Sequence, residues 1–197
     1  MSYLLQALFT LIQMVFGLYL PLVMLRLLLQ WVRADFYNPI SQFIVRLTNP
    51  PLKPLRRVIP GYAGIDWPCI VLLLLVQGLE LLLLTLIFTG HMPTIMALLV
   101  LSIAHLLQLY IYVYIFFITL VVLISWINPG AYNPLTVLIY QLTNPVLSKI
   151  RKRLPDTGGL DFSPMVVLLA GFLLLSLVVA PLMDWGNALN AIHMRVL

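Results

Sequence analysis

Charged side chains are scarce in this sequence: Lys, Arg, Asp and Glu make up 9% of its 197 residues, against about 25% in ordinary soluble domains. A single cysteine, Cys69, excludes an intramolecular disulfide, a thiolate metal cluster and a CxxC redox pair. Set in an apolar run, it reads as a small core residue. The three histidines, His91, His105 and His193, are too scattered for a metal site. No Gly-rich phosphate loop, Ser/His/Asp set or pair of acids occurs, so a non-enzyme without cofactor or metal is expected. The net charge is +5, but no basic, aromatic-interleaved polar surface accompanies it, which argues against nucleic acid as a partner. Lys and Arg are absent ahead of the first apolar run and no small-x-small site follows it, so residues 1–20 read as a retained first span and not a cleavable leader.

What is abundant is hydrocarbon. Hydrophobic residues reach 62% and the mean hydropathy is +1.07, values for a chain dissolved in a bilayer. Four apolar runs, at about 4–29, 67–88, 95–127 and 164–183, exceed or approach the roughly 20 helical residues that cross a hydrocarbon core. They are Leu-rich and lack alternation, which excludes strands. Pro21 is a tolerated kink in the first run, and the third is long enough to require tilt or protrusion. The short Thr89-Gly90-His91-Met92-Pro93 link makes the second and third an antiparallel pair.

The chain also repeats itself without a gap at an offset of 95 positions. Asn38-Pro39, Asn49-Pro50, Arg56, Gly64 and Asp66 return as Asn133-Pro134, Asn144-Pro145, Arg151, Gly159 and Asp161, while Gln13, Tyr19 and Trp31 return as Gln108, Tyr114 and Trp126. This is an internal duplication, with units at 1–94 and 95–197. The expected fold is an all-α membrane protein: four transmembrane helices as two tandem two-helix repeats, each with a polar, amphipathic helical hairpin between its spans. Since each unit holds two spans, the units insert in the same orientation, unlike the inverted repeats common in transporters.

Nine of the eleven Lys and Arg lie in the two hairpins or their flanks. The positive-inside bias therefore places both hairpins in the cytoplasm and both termini outside, periplasmic in a bacterial inner membrane. Asn38 and Asn133 are read as N-caps followed by proline at the first helical position. Asn49-Pro50 and Asn144-Pro145 repeat the device, so each hairpin is expected to end one short helix there and start another. Beyond them, Leu52, Leu55 and Ile59 align on one face with Lys53, Arg56 and Arg57 on another. Leu147, Ile150 and Leu154 do the same against Lys149, Lys152 and Arg153, with Arg151 beside them. A greasy face and a cationic face suit an inner membrane surface, where each cation gains about 1 kcal/mol from anionic lipid. The cations can serve as topology signals only, or as a docking surface for anionic phospholipid and a membrane-protein partner. Oligomeric state, and whether these segments lie flat or dip into the membrane, stay open. Asp66-Trp67-Pro68 and Asp161-Phe162-Ser163-Pro164 launch the following spans, with Asp66 and Ser163 as caps, and Trp31, Tyr62 and Trp67 are placed as interfacial anchors.

Ionisable groups inside a membrane are functional candidates. Arg26 can snorkel to the inner interface. Gln13, Gln77, Glu80, His105 and Gln108 all count to mid-membrane depth, and we expect them to form one polar cluster, with Glu80 bonded to His105 or a glutamine. Such a cluster is either interhelical glue or an ion or proton path. The charge is not duplicated, since Glu80 aligns with Leu175.

The motif Ser125-Trp126, Asn133-Pro134, Leu142-Thr143-Asn144-Pro145, Arg151-Lys152-Arg153-Leu154-Pro155, Gly158-Gly159-Leu160-Asp161-Phe162-Ser163-Pro164 resembles the YggT repeat, and the resemblance covers nearly the whole chain as two units. That family comprises small bacterial membrane proteins with chloroplast relatives resembling cytochrome b haem-assembly factors. The first copy departs from the pattern, with Gln30-Trp31 in place of Ser-Trp and Asp66-Trp67-Pro68 in place of Asp-x-Ser-Pro. The arginine ahead of the Trp motif occurs only as Arg26; copy two has Val121. The resemblance implies an inner-membrane accessory protein linked to osmotic-stress tolerance, cation homeostasis or envelope organisation, hence a scaffold or assembly factor, with an ion-conducting component as the alternative. By analogy with the chloroplast relatives, His105 would be the one intramembrane axial ligand for a haem.

Overall fold

The computed structural model describes residues 3–62, 64–128, 130, 132–155 and 161–196, with side chains up to Ala191. Gly158, Gly159 and the side chains of His193 and Arg195 lie outside the described residues. Helices are α1 (Tyr3–Trp31), α2 (Pro39–Val58), α3 (Trp67–Thr89), α4 (Ile95–Ile127), α5 (Pro134–Arg151), α6 (Ser163–Leu174) and α7 (Ala180–Val196), with a π-helical turn, Leu175–Val179, joining the last two. α1, α3, α4 and the continuous α6–α7 are each long and apolar enough to span a bilayer.

Three spans fall where the apolar runs end, because water-facing breakers end them. α3 stops at Gly90, whose φ of 68° is the left-handed cap that a residue without Cβ adopts freely. Thr94 then caps α4 by accepting from the Ala97 amide. The fourth span runs on past Met183, beyond the expected boundary. Its polar continuation (Asp184, Asn187, Asn190) carries Gly186, which is buried where α7 crosses α4, and a Cβ there would sit 2.7 Å from Leu101. The opening turns of α4 bury Ala97, Val100, Leu101 and Ala104, and α7 supplies the cover.

The spans do not close into a ring. α4 is central, packing against α1, α3 and the α6–α7 helix, with α1 also against α3. The tightest packing is at the loop end. There Val23, Leu28 and Leu29 of α1, Leu52 of α2, Cys69 and Leu73 of α3, and Leu138, Ile139 and Leu142 of α5 are almost fully enclosed. Toward the other end, Leu4, Leu8, Leu11, Met96 and Leu99 point outward, as lipid-facing side chains should.

Each polar segment between spans holds one continuous helix, not the two expected. Asn49 and Asn144 cap nothing; α2 runs through Pro50, Pro51 and Pro54, and α5 through Pro145. An interior proline costs a helix about 3 kcal/mol. What holds α2 together is a line of contacts on both sides of Asn49-Pro50: Ile44, Thr48 and Leu52, at i, i+4 and i+8, are all buried. Thr143 and Leu147 do likewise in α5. The first Asn-Pro pairs behave as read: Asn38 accepts from the Ile40 amide at 2.9 Å, and Asn133 forms a capping box with Thr136. Ser163, by contrast, is no cap. It is the first helical residue, and Asp161 accepts its amide at 2.9 Å.

Candidate functional site

Two polar sites emerge, one at mid-membrane and one at the loop end. At mid-membrane, Gln77 and Glu80 of α3 face His105, Gln108 and Tyr112 of α4 across a cavity of about 170 Å³, closed on its α1 side by Gly17, Leu20 and Pro21. Spacings of i, i+3 on α3 and i, i+3, i+7 on α4 put these groups on facing stripes. Gln77 is buried and donates from Nε2 to Glu80 Oε2 at 2.8 Å, so the carboxyl is satisfied by its own helix and not by His105. Gln108 Nε2 reaches Tyr112 Oη at 3.4 Å. Gln13 does not join: it is exposed on the outer side of α1. Depth along the helix was readable from the sequence, but the face was not, because α1 is apolar all round. Tyr112 was missed; its four-residue spacing from Gln108 was the available signal.

Toward the loop end the surroundings of this cavity become mainly apolar, with the hydroxyl of Tyr19 enclosed there. Val23 and Met24 of α1 and Leu72 and Leu73 of α3 are buried there, an apolar plug between the two sites. Among the described residues no group of three His, Cys, Asp or Glu could hold a metal ion.

At the loop end the duplication is visible as geometry. Arg56 Nη2 meets Asp66 Oδ2 at 2.5 Å, and Arg151 meets Asp161 through Nη2 and, at 3.0 Å, through Nε. Each aspartate also holds the start of the next span, Asp66 by accepting from the Cys69 amide and Asp161 from that of Ser163. Each pair thus ties the end of an amphipathic helix to the head of a membrane helix. Their surroundings differ: Asp66 is 4% exposed, the side chain of Asp161 36%. Partial burial raises the Asp161 pKa, but hydrogen bonds from Arg151 and Ser163 outweigh it and hold the carboxyl below its ordinary value.

Lys53, Arg57, Lys149, Lys152 and Arg153 remain exposed on the outer faces of α2, α5 and the turn after α5, opposite the buried line of Leu52 and Leu147. Arg26 does not snorkel. It is buried, and Nη1 donates to the Val45 carbonyl and Thr48 Oγ1, both at 3.2 Å, fastening α1 to α2. Thr143, the counterpart of Thr48, is equally enclosed but has Val121 where Arg26 would be. The two amphipathic helices also meet each other: Asn38 Nδ2 donates to the Pro134 carbonyl at 2.6 Å, and the Asp35 amide to Gln141 Oε1 at 3.3 Å.

These features define a multi-pass membrane protein built from two tandem repeats, each with two spans and, between them, an amphipathic helix locked by an Arg–Asp pair. The sequence model of the CCB3/YggT family matches residues 5–87 and 100–182, two stretches in the register of the duplication. The chain belongs to that family. It is similar to an uncharacterized protein of Pseudomonas aeruginosa, 47% identical over 155 residues that cover 78% of this chain and 79% of the relative. It is also similar to the uncharacterized protein YggT of Escherichia coli K12, 37% identical over 182 residues covering 91% and 93%. An uncharacterized protein of Haemophilus influenzae is 39% identical over 147 residues, 74% of this chain and 77% of the relative. No solved structure matches the chain.

Proposed function

We propose that this protein is a non-catalytic accessory component of the bacterial inner membrane, a scaffold or assembly factor whose cytoplasmic face docks on anionic phospholipid and on a membrane-protein partner. The observation that carries this reading is the duplicated interfacial helix, with one face buried on the spans and the other presenting Lys53 and Arg57, or Lys149, Lys152 and Arg153, outward. A topology signal needs charge alone; a duplicated two-faced helix, capped and clamped at both ends, supports a surface held in place for contact. The nine loop cations support a cytoplasmic placement for it, with termini on the periplasmic side. The link to osmotic-stress tolerance or envelope organisation rests on the family resemblance.

The test is site-specific crosslinking in native membranes from the outer faces of α2 and α5. Changing Lys53, Arg57, Lys149, Lys152 and Arg153 to Gln should remove a discrete membrane-protein adduct while insertion persists. Arg56 and Arg151 are left intact because they are tied to aspartates. An adduct unchanged by the fivefold substitution would sink the docking reading.

The mid-membrane cavity favours a second reading, an ion-conducting or ion-homeostasis role through Gln77, Glu80, His105 and Gln108. The apolar plug beside it argues for interhelical glue instead. Liposomes holding the purified protein should show no cation flux across pH or osmotic gradients; flux lost in Glu80→Leu would reverse the preference.

A further inference from the structure

A second cavity lies at the foot of the first repeat, and nothing in the docking reading uses it. It measures about 540 Å³ and is walled by Arg26 and Gln30 of α1, Phe36, Arg56 near the end of α2, Gly61 and Asp66. Pockets of about 300–1,000 Å³ hold small molecules or headgroups. Arg26 is 6% exposed, and an arginine stays charged at any accessible pH. Among the described residues its guanidinium makes no ion pair, and Nε is buried without a hydrogen-bond partner. The nearby Asp66 is already committed to Arg56. Two guanidiniums facing one carboxylate leave the cavity with a surplus positive charge, carried by the enclosed Arg26. A buried charge without a counter-charge is strongly unfavourable, so the arrangement asks for an anion.

We propose that this cavity binds the phosphate of an anionic phosphate ester, read by the Arg26 guanidinium with Arg56 and Gln30 beside it. The planar fork of arginine suits phosphate oxygens. Arg26 lies five residues from the end of α1, about 7–8 Å along the helix, which is the depth of the headgroup region below exposed Trp31. Phospholipid headgroups lie at this level, and soluble phosphate esters reach it from the water side. The site is unique to the first repeat, since Val121 occupies the position of Arg26 in the second. It uses none of the five exposed cations of the docking surface, so either proposal can fail alone.

The test titrates the purified full-length protein in detergent with short-chain phosphatidylglycerol, short-chain phosphatidylcholine and glycerol 3-phosphate. Occupancy is read by native mass spectrometry and Tm. We expect one phosphatidylglycerol per chain and a raised Tm, with Arg26→Gln binding about tenfold to a hundredfold more weakly, the loss set by one or two charged hydrogen bonds. Exposed Arg46→Gln should bind like the parent. Glycerol 3-phosphate binding as tightly as the lipid, and lost in the same variant, keeps the site and assigns it to a soluble ester. Because Arg26 also fastens α1 to α2, Gly61→Leu serves as a second variant: Gly61 lines the cavity, a Cβ there meets nothing closer than 3.6 Å, and Arg26 and its partners Val45 and Thr48 stay unsubstituted. Absent binding, equal binding of phosphatidylcholine, or binding indifferent to both Arg26→Gln and Gly61→Leu overturns the proposal.

Discussion

Asp66 and Asp161 occupy equivalent places in the two repeats but work in different surroundings. Asp66 is enclosed, caps α3 and holds Arg56, so Asp66→Ala should cost about 2–3 kcal/mol, a cap plus a charge-assisted bond. Asp161 sits near water, where such pairs contribute about 1 kcal/mol or less, and Asp161→Ala should lower Tm less. Thermal unfolding of both variants in the same detergent checks the order. The Asp161 carboxyl is held below its ordinary value, so its contribution is fully present above the ordinary carboxylate range and lost as pH falls through the depressed value. Protection of the Ser163 amide, taken as its exchange rate relative to the intrinsic rate at the same pH, should therefore fall as pH drops through that depressed value, and unchanged protection would contradict the pairing. Arg33 ends α1 at a φ of 53°, with the Ala34 amide reaching back to the Leu29 carbonyl. A left-handed non-glycine residue is strained by roughly 1 kcal/mol, so Arg33→Gly should raise Tm. Both aspartates could be seen in the sequence as helix starters, but their arginine partners could not. A ten-residue separation across a loop follows no helical or strand period, so only the folded chain reveals the pair.

For whole helices, the informative contact is Gly186 against Leu101. A methyl group at Gly186 would lie 2.7 Å from Leu101 Cγ and Cδ2, while one at Gly171 would meet Ile115 at 3.3 Å. Gly186→Ala should cost about 1–3 kcal/mol by overpacking, and Gly171→Ala less. Adding Leu101→Ala should recover part of the Gly186→Ala loss, as read from unfolding of the double variant; additive losses would mean that the two residues do not touch in the membrane. The extension of α7 was hidden in the sequence because its polar residues look like the end of a span, and its reason for continuing lies on another helix. The same holds for α2, where proline and asparagine mark a break that burial overrides.

Across the molecule, the two repeats are joined at the loop end through α2 and α5, with Asn38 donating to Pro134, and along the spans through α3 and α4. If the repeats insert in parallel, Arg57→Cys and Lys152→Cys must react with a membrane-impermeant maleimide from the same side. Cys69, fully enclosed, stays silent in the background. Labelling from opposite sides would break the tandem architecture.

Four spans, their doubling, the first Asn-Pro caps and the side that carries the cations were all set by the sequence alone. Each depends on local chemistry: the hydrocarbon length of a run, a cap's reach to the next turn, or a loop's charge. Tertiary structure alone decided which face of an apolar helix turns inward, separating Gln13 from Gln77 and Glu80. It also decided that Arg26 would be enclosed beside a cavity instead of reaching water. In a helix apolar on every side, composition carries no direction, and only the neighbouring helices supply one.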